Sequence, residues 1–289
     1  MKPPRFHYHA PGSIPEALDL LAHYAGDARL LAGGQSLVPM LNFRLVEPRA
    51  LIDLARIPHL SGIGDGDPIV IGAMTRQRAV EDSPIIARRA PLLREALRWV
   101  GHLPTRSRGT IGGSIAHADP AAELPLILVT CEGSVRVEGR AGSRMIAAGE
   151  LFDSMFTTRI GADEILTEVH VPAVAPGSRH GFEEYARRHG DFAIVAVAVS
   201  IEPNAAGGQR VRLGASGVGQ IPQRLVAAEA ILEREGLSAD AIAHAAAQAA
   251  ASVDPVGDAN GSADYRRHIL GTLLERTLTR TTAPIAATA

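Results

Sequence analysis

Two short glycine-rich segments have the residue types and spacing of anion-binding loops. They are residues 32–36 (AGGQS) and 110–114 (TIGGS), and each places paired glycines before a serine. Glycine lets the backbone adopt positive φ and approach a ligand closely, because no Cβ intervenes. Successive N–H groups in such a loop can form a concave set of donors for an anion, most often phosphate. Together the loops could hold the two phosphates of a dinucleotide, although either segment alone also fits a simple tight turn.

The known phosphate-binding and nucleophile motifs are absent from the glycine-rich stretches. Neither loop fits the GxxxxGK or GxGxxG pattern. Residues 62–66 (GIGDG) are followed by Asp67 and include Asp65, whose charge repels phosphate, so this stretch predicts a hairpin turn. Residues 214–219 (GASGVG) lack the GxSxG spacing of a nucleophile elbow. No catalytic residue is therefore assigned in this chain.

Histidine and acidic clusters do not predict a metal centre or an acid–base pair. His7 with His9, and His117 with Asp119, are spaced to share a ligand, but no third metal ligand occurs at a useful spacing. No metal site is predicted. The acidic pairs at 163–164 and 183–184 are interpreted as solvated faces. Residues 187–189 (RRH) fit either an anion-binding patch or a solvated turn.

The composition of the chain excludes several functional classes. With 289 residues and 46% hydrophobic side chains, the chain is long enough for about two domains. Its net charge of −2 lacks the basic excess of a nucleic-acid binder. Cys131 is the only cysteine, which excludes a cysteine-ligated iron–sulfur cluster within this chain. Lys2 is the only lysine, which excludes a P-loop lysine. Neither a signal peptide nor a membrane span is predicted, so a cytoplasmic location is expected.

The periodicity of apolar residues indicates which elements position the two loops. Helices are predicted over residues 14–21, 91–100, 121–129, 224–235, 239–252 and 262–279. Strands are predicted at residues 29–31, 51–54, 69–71, 134–137, 164–171, 182–186, 192–201 and 211–216. The first loop thus comes directly after a strand, and the second lies before a helix. Residues 172–178 (PAVAPGS) predict a domain linker, after which strands precede three helices in an α+β order.

Several motifs in this order resemble one protein family over nearly the whole chain. They are residues 6–21 (FHYHAPGSIPEALDLL), 32–45 (AGGQSLVPMLNFRL), 109–125 (GTIGGSIAHADPAAELP), 190–195 (GDFAIV) and 261–268 (GSADYRRH). They are similar to the flavin-binding medium subunit of molybdenum hydroxylases, the family of aerobic carbon monoxide dehydrogenase and xanthine dehydrogenase. The resemblance implies an α+β fold with a two-subdomain PCMH-type FAD-binding domain over residues 1–175, divided near residue 54. A C-terminal domain with a small sheet and three helices would span residues 176–289.

The resemblance also implies a set of residues around a non-covalently bound FAD. The first loop would cradle the pyrophosphate with Ala32, Gly33, Gly34, Gln35 and Ser36. The second loop would approach the phosphates and the flavin with Thr110, Ile111, Gly112, Gly113 and Ser114.

Three further positions match family contacts outside the loops. Glu123 matches an acidic position on the adenosine side of the cofactor. Leu166 matches an apolar position that touches the cofactor through its backbone, and Phe192 matches the aromatic residue that lies over the isoalloxazine ring. Relatives often carry His in place of Gln35 and Asn in place of Ser114. Glu183 stands where some relatives have a lysine, so a cationic contact with the flavin is not expected there.

The function implied by the resemblance is electron transfer within a larger oxidoreductase. The chain would be the FAD subunit of a heteromeric molybdenum hydroxylase, passing electrons from iron–sulfur clusters to an external acceptor. The clusters and the molybdenum cofactor would belong to a small and a large partner subunit, in a dimer of heterotrimers. Two alternatives remain open at this point: a self-contained flavin oxidase of related fold, and a docking subunit that does not use FAD. The substrate and the electron acceptor are not encoded in this chain.

Overall fold

The computed structural model describes residues 2–204 and 207–283, which form three successive layers of mixed helix and sheet. The strands are β1 His7–His9, β2 Ala28–Leu31, β3 Ala50–Asp53, β4 Ile69–Gly72, β5 Ser134–Gly139, β6 Gly142–Ala147, β7 Phe152–Ser154, β8 Thr157–Thr158, β9 Glu164–Val171, β10 Arg179–Tyr185, β11 Val195–Pro203, β12 Gln209–Ser216 and β13 Gln223–Arg224. The helices are α1 Ile14–Tyr24, α2 Leu37–Asn42, α3 Gln77–Asp82, α4 Pro84–Arg89, α5 Pro91–Leu97, α6 Leu103–Arg108, α7 Ile111–His117, α8 Glu123–Thr130, α9 Ala148–Leu151, α10 Val226–Glu235, α11 Ala239–Ser252 and α12 Ala263–Thr282. Within these described ranges, none of the helices is long and apolar enough to span a membrane.

The first layer is a small parallel sheet covered by α1. Its strand order is β1-β3-β2, and both pairings are parallel. Ser13 caps the start of helix α1: its hydroxyl accepts a hydrogen bond from the Glu16 amide. The helix buries Ala17, Leu18 and Leu21 against this sheet. Strand β2 therefore ends at a fixed place, directly before the first glycine loop.

The second layer is an antiparallel sheet with the order β4-β9-β5-β6. Its buried residues join those of α5, α7 and α8 in the largest apolar core of the described chain. The stretch at 62–66 folds back on β4: the Gly64 amide donates to the Val70 carbonyl, and Ile63 forms a bridge with Ile71. The predicted hairpin turn is therefore confirmed.

The third layer is an antiparallel sheet, β10-β11-β12-β13, which is buried on both faces. On β11, Ala196 and Ala198 face the core that contains α5 and α8, whereas Val197 and Val199 face α10–α12. Burial on both faces explains why residues 192–201 form a nearly continuous apolar run rather than an alternating one. The predicted strands-then-helices order and the α+β class are confirmed.

The longest periodic elements lie where the sequence predicted them, and the short ones were missed. Strand β9 and helix α11 have the predicted limits, 164–171 and 239–252. Helix α2 was not predicted, because it has six residues and contains Pro39. It begins directly after the first glycine loop and so determines how that loop ends.

Candidate functional site

The two glycine loops meet at one cleft of about 700 Å³ between the first two layers. A side-chain carbon on Gly33 would collide with the Arg108 carbonyl, just before the second loop. A Cβ on Gly113 would lie 3.3 Å from that of Ala32. The loops are about 75 residues apart in the chain, yet their backbones are in contact. Glycine is required at position 33 because a side chain there would overlap the backbone of residues 108–109, whereas a Cβ at position 113 would press on Ala32 and, more closely, on the Thr110 hydroxyl.

The first loop offers a row of unused backbone donors. Gly34 has φ +72°, a left-handed conformation that turns the chain between β2 and α2. Within the described residues, the amides of Gly33, Gly34, Gln35 and Ser36 have no acceptor in the protein. Backbone N–H groups are obligatory donors, so this row is chemically suited to bind an anion at the cleft.

The second loop uses its amides internally. Thr110 caps helix α7: its hydroxyl accepts from the Gly113 amide at 3.1 Å, and its carbonyl accepts from Ser114. The Ile111 and Gly112 amides donate to carbonyls of residues 75 and 73. The expectation that both loops form a concave amide set is therefore wrong for this one. The second loop instead contributes close backbone approach at Gly113 and the hydroxyl of Ser114.

The cleft brings together nearly all of the residues that the sequence singled out. Leu166 of β9, Glu123 at the start of α8 and Phe192 line it, together with the first loop, Thr110, Gly112, Gly113 and Ser114. Phe192 is 73% exposed although it is a large aromatic residue. Ile111 is the exception: its side chain is buried in the core and does not line the cleft.

Sequence reasoning missed Gln77, which also lines the cleft. It begins α3, is 4% exposed, and its side-chain Oε1 has no hydrogen-bond partner within the described residues. A buried unpaired amide costs free energy, so a ligand donor in the cleft would stabilise it. No pattern marked Gln77, because a single glutamine in an amphipathic helix is indistinguishable from a surface residue.

The charged groups of the cleft are mostly acidic. Asp119, Glu123, Glu164 and Asp191 line it, and Glu164 is bound by Arg144 at 2.7 Å. Burial raises the pKa of Glu123 to about 7. Arg29 also lines the cleft, but its guanidinium donates to the carbonyls of Gly26 and Ala28. The amides of the first loop are therefore donors that stay available to an anion here.

The loop that carries Phe192 is held by contacts at both ends. The Arg266 guanidinium of α12 donates to the carbonyl of Ile194 at 2.5 Å. On the other side the His189 ring stacks edge-on against Trp99, with ring centres 5.6 Å apart. A side chain on Gly190 would collide with His102, so glycine lets this loop lie against α6. These contacts direct Phe192 into the cleft.

Glu183 and Glu184 are not solvated, contrary to the sequence interpretation. They are 8% and 7% exposed on β10. Glu183 faces α12, where Arg280 and Arg276 donate to it at 2.7 and 2.9 Å. It therefore lies away from the cleft. Glu184 faces the opposite side, and its Oε2 has no partner among the described residues.

The burial of Glu184 predicts a pH-dependent stability. Burial, with a smaller contribution from the Glu123 charge, raises the pKa of Glu184 from 4.5 to about 8. The folded state therefore binds more protons than the unfolded state between these pH values, so this carboxyl group lowers stability progressively as the pH rises through that window. Glu184→Gln removes this dependence. We expect its melting temperature to exceed that of the wild type by about 3–8 °C at pH 8.5, with a much smaller difference at pH 5.

Thermal unfolding across pH 5–9 measures this effect. The unpaired glutamine amide of the variant costs the same free energy at every pH. The ionisation of Glu184 is therefore measured by how the difference in melting temperature between variant and wild type changes with pH. A constant difference between the two proteins would contradict the prediction.

The cleft fits a bound dinucleotide on structural grounds. It combines free loop amides, an unsatisfied buried glutamine, a glycine cradle that a Cβ would fill, and an exposed aromatic ring. Within the described residues, no cluster of three or more His, Cys, Asp or Glu side chains could hold a metal ion.

The chain matches two protein families. The "FAD binding domain in molybdopterin dehydrogenase" matches residues 4–174, and the "CO dehydrogenase flavoprotein C-terminal domain" matches residues 180–281. The 6-hydroxypseudooxynicotine dehydrogenase complex subunit alpha of Paenarthrobacter nicotinovorans is 43% identical and aligns over 97% of this chain and 95% of its own length. The carbon monoxide dehydrogenase medium chain of Hydrogenophaga pseudoflava is 37% identical over 96% and 97% of the two chains.

A solved structure shares the fold throughout. It is the carbon monoxide dehydrogenase from Hydrogenophaga pseudoflava that lacks the Mo-pyranopterin moiety of the molybdenum cofactor; it superposes with a TM-score of 0.93 at 38% identity, covering 97% of this chain and 98% of the other. The predicted oxidoreductase class and the FAD cofactor are confirmed by these relationships. The chain therefore belongs to the family of FAD-binding medium subunits of molybdenum hydroxylases, as its sequence motifs predicted.

Proposed function

We propose that this chain is the electron-transfer subunit of a heteromeric molybdenum hydroxylase. It would bind FAD in the cleft and connect iron–sulfur clusters on a partner with an external electron acceptor. FAD, when bound, supplies chemistry that accepts electrons one at a time and releases them in pairs. The convergence of the two glycine loops on a cleft with free amides is the observation that carries this proposal.

Different residues of the cleft would bind different parts of FAD. The amides of Gly33, Gly34, Gln35 and Ser36 would bind the diphosphate, and Ser114 would add a hydroxyl. Ala32, Thr110, Ile111, Gly112 and Gly113 would shape the backbone surface around them. Glu123 would accept hydrogen bonds from cofactor hydroxyl groups, Leu166 would contact FAD through its backbone, and Phe192 would cover the isoalloxazine ring.

The need for partner subunits arises from the chemistry of the single cysteine. Burial raises the pKa of the Cys131 thiol to about 12, so the free thiol stays protonated at neutral pH. One cysteine could not hold a cluster in any case. Iron–sulfur clusters and the molybdenum cofactor are therefore assigned to a small and a large partner subunit. We propose a dimer of such heterotrimers as the assembly.

Expression of the chain alone tests the cofactor part of this function. The purified protein, supplied with FAD and desalted, is expected to retain about one FAD per chain and to contain neither molybdenum nor iron. Absorption spectroscopy and metal analysis measure this. A protein that stays colourless at every FAD concentration tested would overturn the proposal.

Co-expression with the adjacent reading frames tests the electron-transfer part. Subunits with spaced cysteines and with a molybdenum site should co-purify with this chain, and substrate should then bleach the flavin absorption of the complex. Substrate turnover by the isolated chain would instead support a self-contained oxidase.

A further inference from the structure

A buried carboxyl pair lies at the boundary between the cleft and the C-terminal sheet. Glu123 lines the cleft at the start of α8. Glu184 of β10 is paired with Ala196 of β11, which is paired with Ser216 of β12; the next residue, Gly217, donates its amide to the Pro120 carbonyl, three residues before Glu123. Glu184 is close enough for the charge of Glu123 to act on it. The strand sets its orientation: Phe182, two residues earlier, packs into the core that contains α8, and side chains two residues apart share a face.

Glu184 is buried without the partners that a charged carboxylate requires. It is 7% exposed, and its Oε2 accepts no hydrogen bond among the described residues. Its neighbour Glu183 shows the contrast, because that carboxylate is equally buried but is bound by two arginines and Thr277. An unpaired buried carboxylate is strongly disfavoured, so Glu184 keeps its proton to higher pH than Glu123, whose pKa burial raises only to about 7.

The other charged groups around the pair do not neutralise Glu184. Asp119 raises the pKa of Glu123, and Arg106 lowers it. The Arg106 guanidinium is already bound to Glu81 and to the carbonyls of residues 100 and 101. Other nearby charged groups act on different partners: Glu95 of α5 on His180, Arg276 and Arg280 of α12 on Glu183, and Arg187 on the Ala259 carbonyl. Arg188, His189 and Asp191 of the loop after β10 make no hydrogen bond or ion pair with Glu184 among the described residues.

We propose that Glu184 is a positioning residue of the FAD site, which acts through Glu123 and links the binding of FAD to one proton. This inference rests on the proposed function of the cleft. Above pH 7, with Glu184 neutral, Glu123 is the anionic member of the pair and would accept hydrogen bonds from hydroxyl groups of FAD. When Glu184 loses its proton, a second negative charge lies near Glu123, and both repel the diphosphate dianion. FAD binding therefore favours the protonated form of Glu184.

Linkage sets the sign of the pH dependence. A ligand that favours the protonated form binds less tightly as the pH rises through the pKa of the group, which burial places at about 8 for Glu184. We expect the Kd of the wild-type chain for FAD to rise about fivefold between pH 7.5 and pH 9. FAD itself has no group that titrates in this interval, so the change reports on the protein.

Glu184→Gln separates this role from a structural one. Glutamine reproduces the neutral acid and cannot ionise, so its Kd should change less than twofold between pH 7.5 and pH 9. Glu183→Gln is the matched control, because it makes the same substitution at the preceding residue of β10, which faces α12. Its Kd for FAD should depend on pH as the wild-type Kd does. Fluorescence quenching of added FAD by the full chain provides the Kd values.

Calorimetry gives a second readout that needs no variant. Titration of FAD at pH 8.5 in buffers of different ionisation enthalpy should show uptake of about half a proton or more by the wild type, and none by Glu184→Gln. Identical pH profiles and proton uptake in the two proteins would overturn the role of Glu184 and leave the FAD site intact. Failure of every variant to bind FAD at any pH would instead overturn the proposed function.

Discussion

Replacing Gly34 with aspartate is expected to remove FAD from the protein while the chain stays folded. Gly34 lies in the middle of the first loop, next to amides that have no acceptor among the described residues. A carboxylate at this position would occupy the place where the diphosphate should lie and would repel it. Two like charges about 4 Å apart near a protein surface interact by about 4 kcal/mol. We therefore expect FAD affinity to fall by at least about 100-fold.

The local geometry makes Gly34 the better of the two loop positions to test. Its Cβ would meet only the ends of Val38 and Leu31, at 3.2 and 3.4 Å. Its φ of +72° is a conformation that asparagine and aspartate adopt more readily than other residues. At Gly113, by contrast, a Cβ would lie 2.8 Å from the Thr110 hydroxyl and would disturb the cap of α7. A loss of FAD there would not distinguish charge from misfolding.

Gly34→Asn is the matched control for the charge. Asparagine has the same shape and the same backbone strain as aspartate but carries no charge. We expect both variants to lose similar stability, about 1 kcal/mol, in chemical unfolding. Gly34→Asn should bind FAD at least about ten times more tightly than Gly34→Asp in equilibrium titrations. Equal affinities for the two variants would show that the phosphates do not lie at this loop.

The sequence predicted the convergence of the two loops but could not predict how each would use its amides. Both segments place Gly-Gly before a serine, with one glutamine between them in the first loop, and both resemble anion-binding turns. Whether the amides are free depends on how the helix after each loop begins. Thr110 caps α7 so closely that the second loop becomes the first turn of a helix. Ser36 precedes α2 without a side-chain cap, which leaves the first loop open. This difference arises from tertiary contacts with residues 73 and 75, which no local pattern records.

The burial of the acidic pair on β10 could have been predicted from the sequence. Adjacent residues on a strand face opposite sides of the sheet, so Glu183 and Glu184 could both be solvated only if the sheet were open on both faces. The continuous apolar run at 192–201 already indicates a neighbouring strand buried on both faces. Combining the two observations predicts that each glutamate is buried. Glu183 is bound by arginines of α12, whereas Glu184 has no partner in the described part of the chain; this difference arises only from the packing of α12 and α8.

Replacing Arg266 with methionine is expected to have the largest effect on stability. Arg266 is 6% exposed and lies near the start of α12, in the GSADYRRH segment by which the sequence resembles its family. Its guanidinium donates to the carbonyls of Ile194 and Gly217, at 2.5 and 2.9 Å, and to the Asp258 carboxylate at 2.9 Å. One side chain thus joins α12 to the start of β11 and the end of β12.

Methionine fills a similar volume but leaves these acceptors without a donor. Removing one partner from a buried charged hydrogen-bond group costs about 3–5 kcal/mol, because the remaining polar groups stay desolvated. We expect Arg266→Met to lower the free energy of unfolding in urea by about 3 kcal/mol. The stability of Arg266→Lys should lie between those of the wild type and Arg266→Met, because one ammonium group cannot replace all the donors of the planar guanidinium group.

Arg267→Met provides the control on the next residue of the same helix. Arg267 is bound to Asp264 and Asp254, whose side chains are 95% and 99% exposed, and it donates one long hydrogen bond to the Val253 carbonyl at 3.3 Å. Its loss should therefore change stability by no more than about 1 kcal/mol. The two arginines also differ in their relation to the cleft, because only Arg266 holds the Ile194 carbonyl behind Phe192. Trypsin should therefore cut the 186–192 loop faster in Arg266→Met than in Arg267→Met, and FAD should protect it. Equal cleavage rates and equal stabilities would mean that the Phe192 loop is held without Arg266.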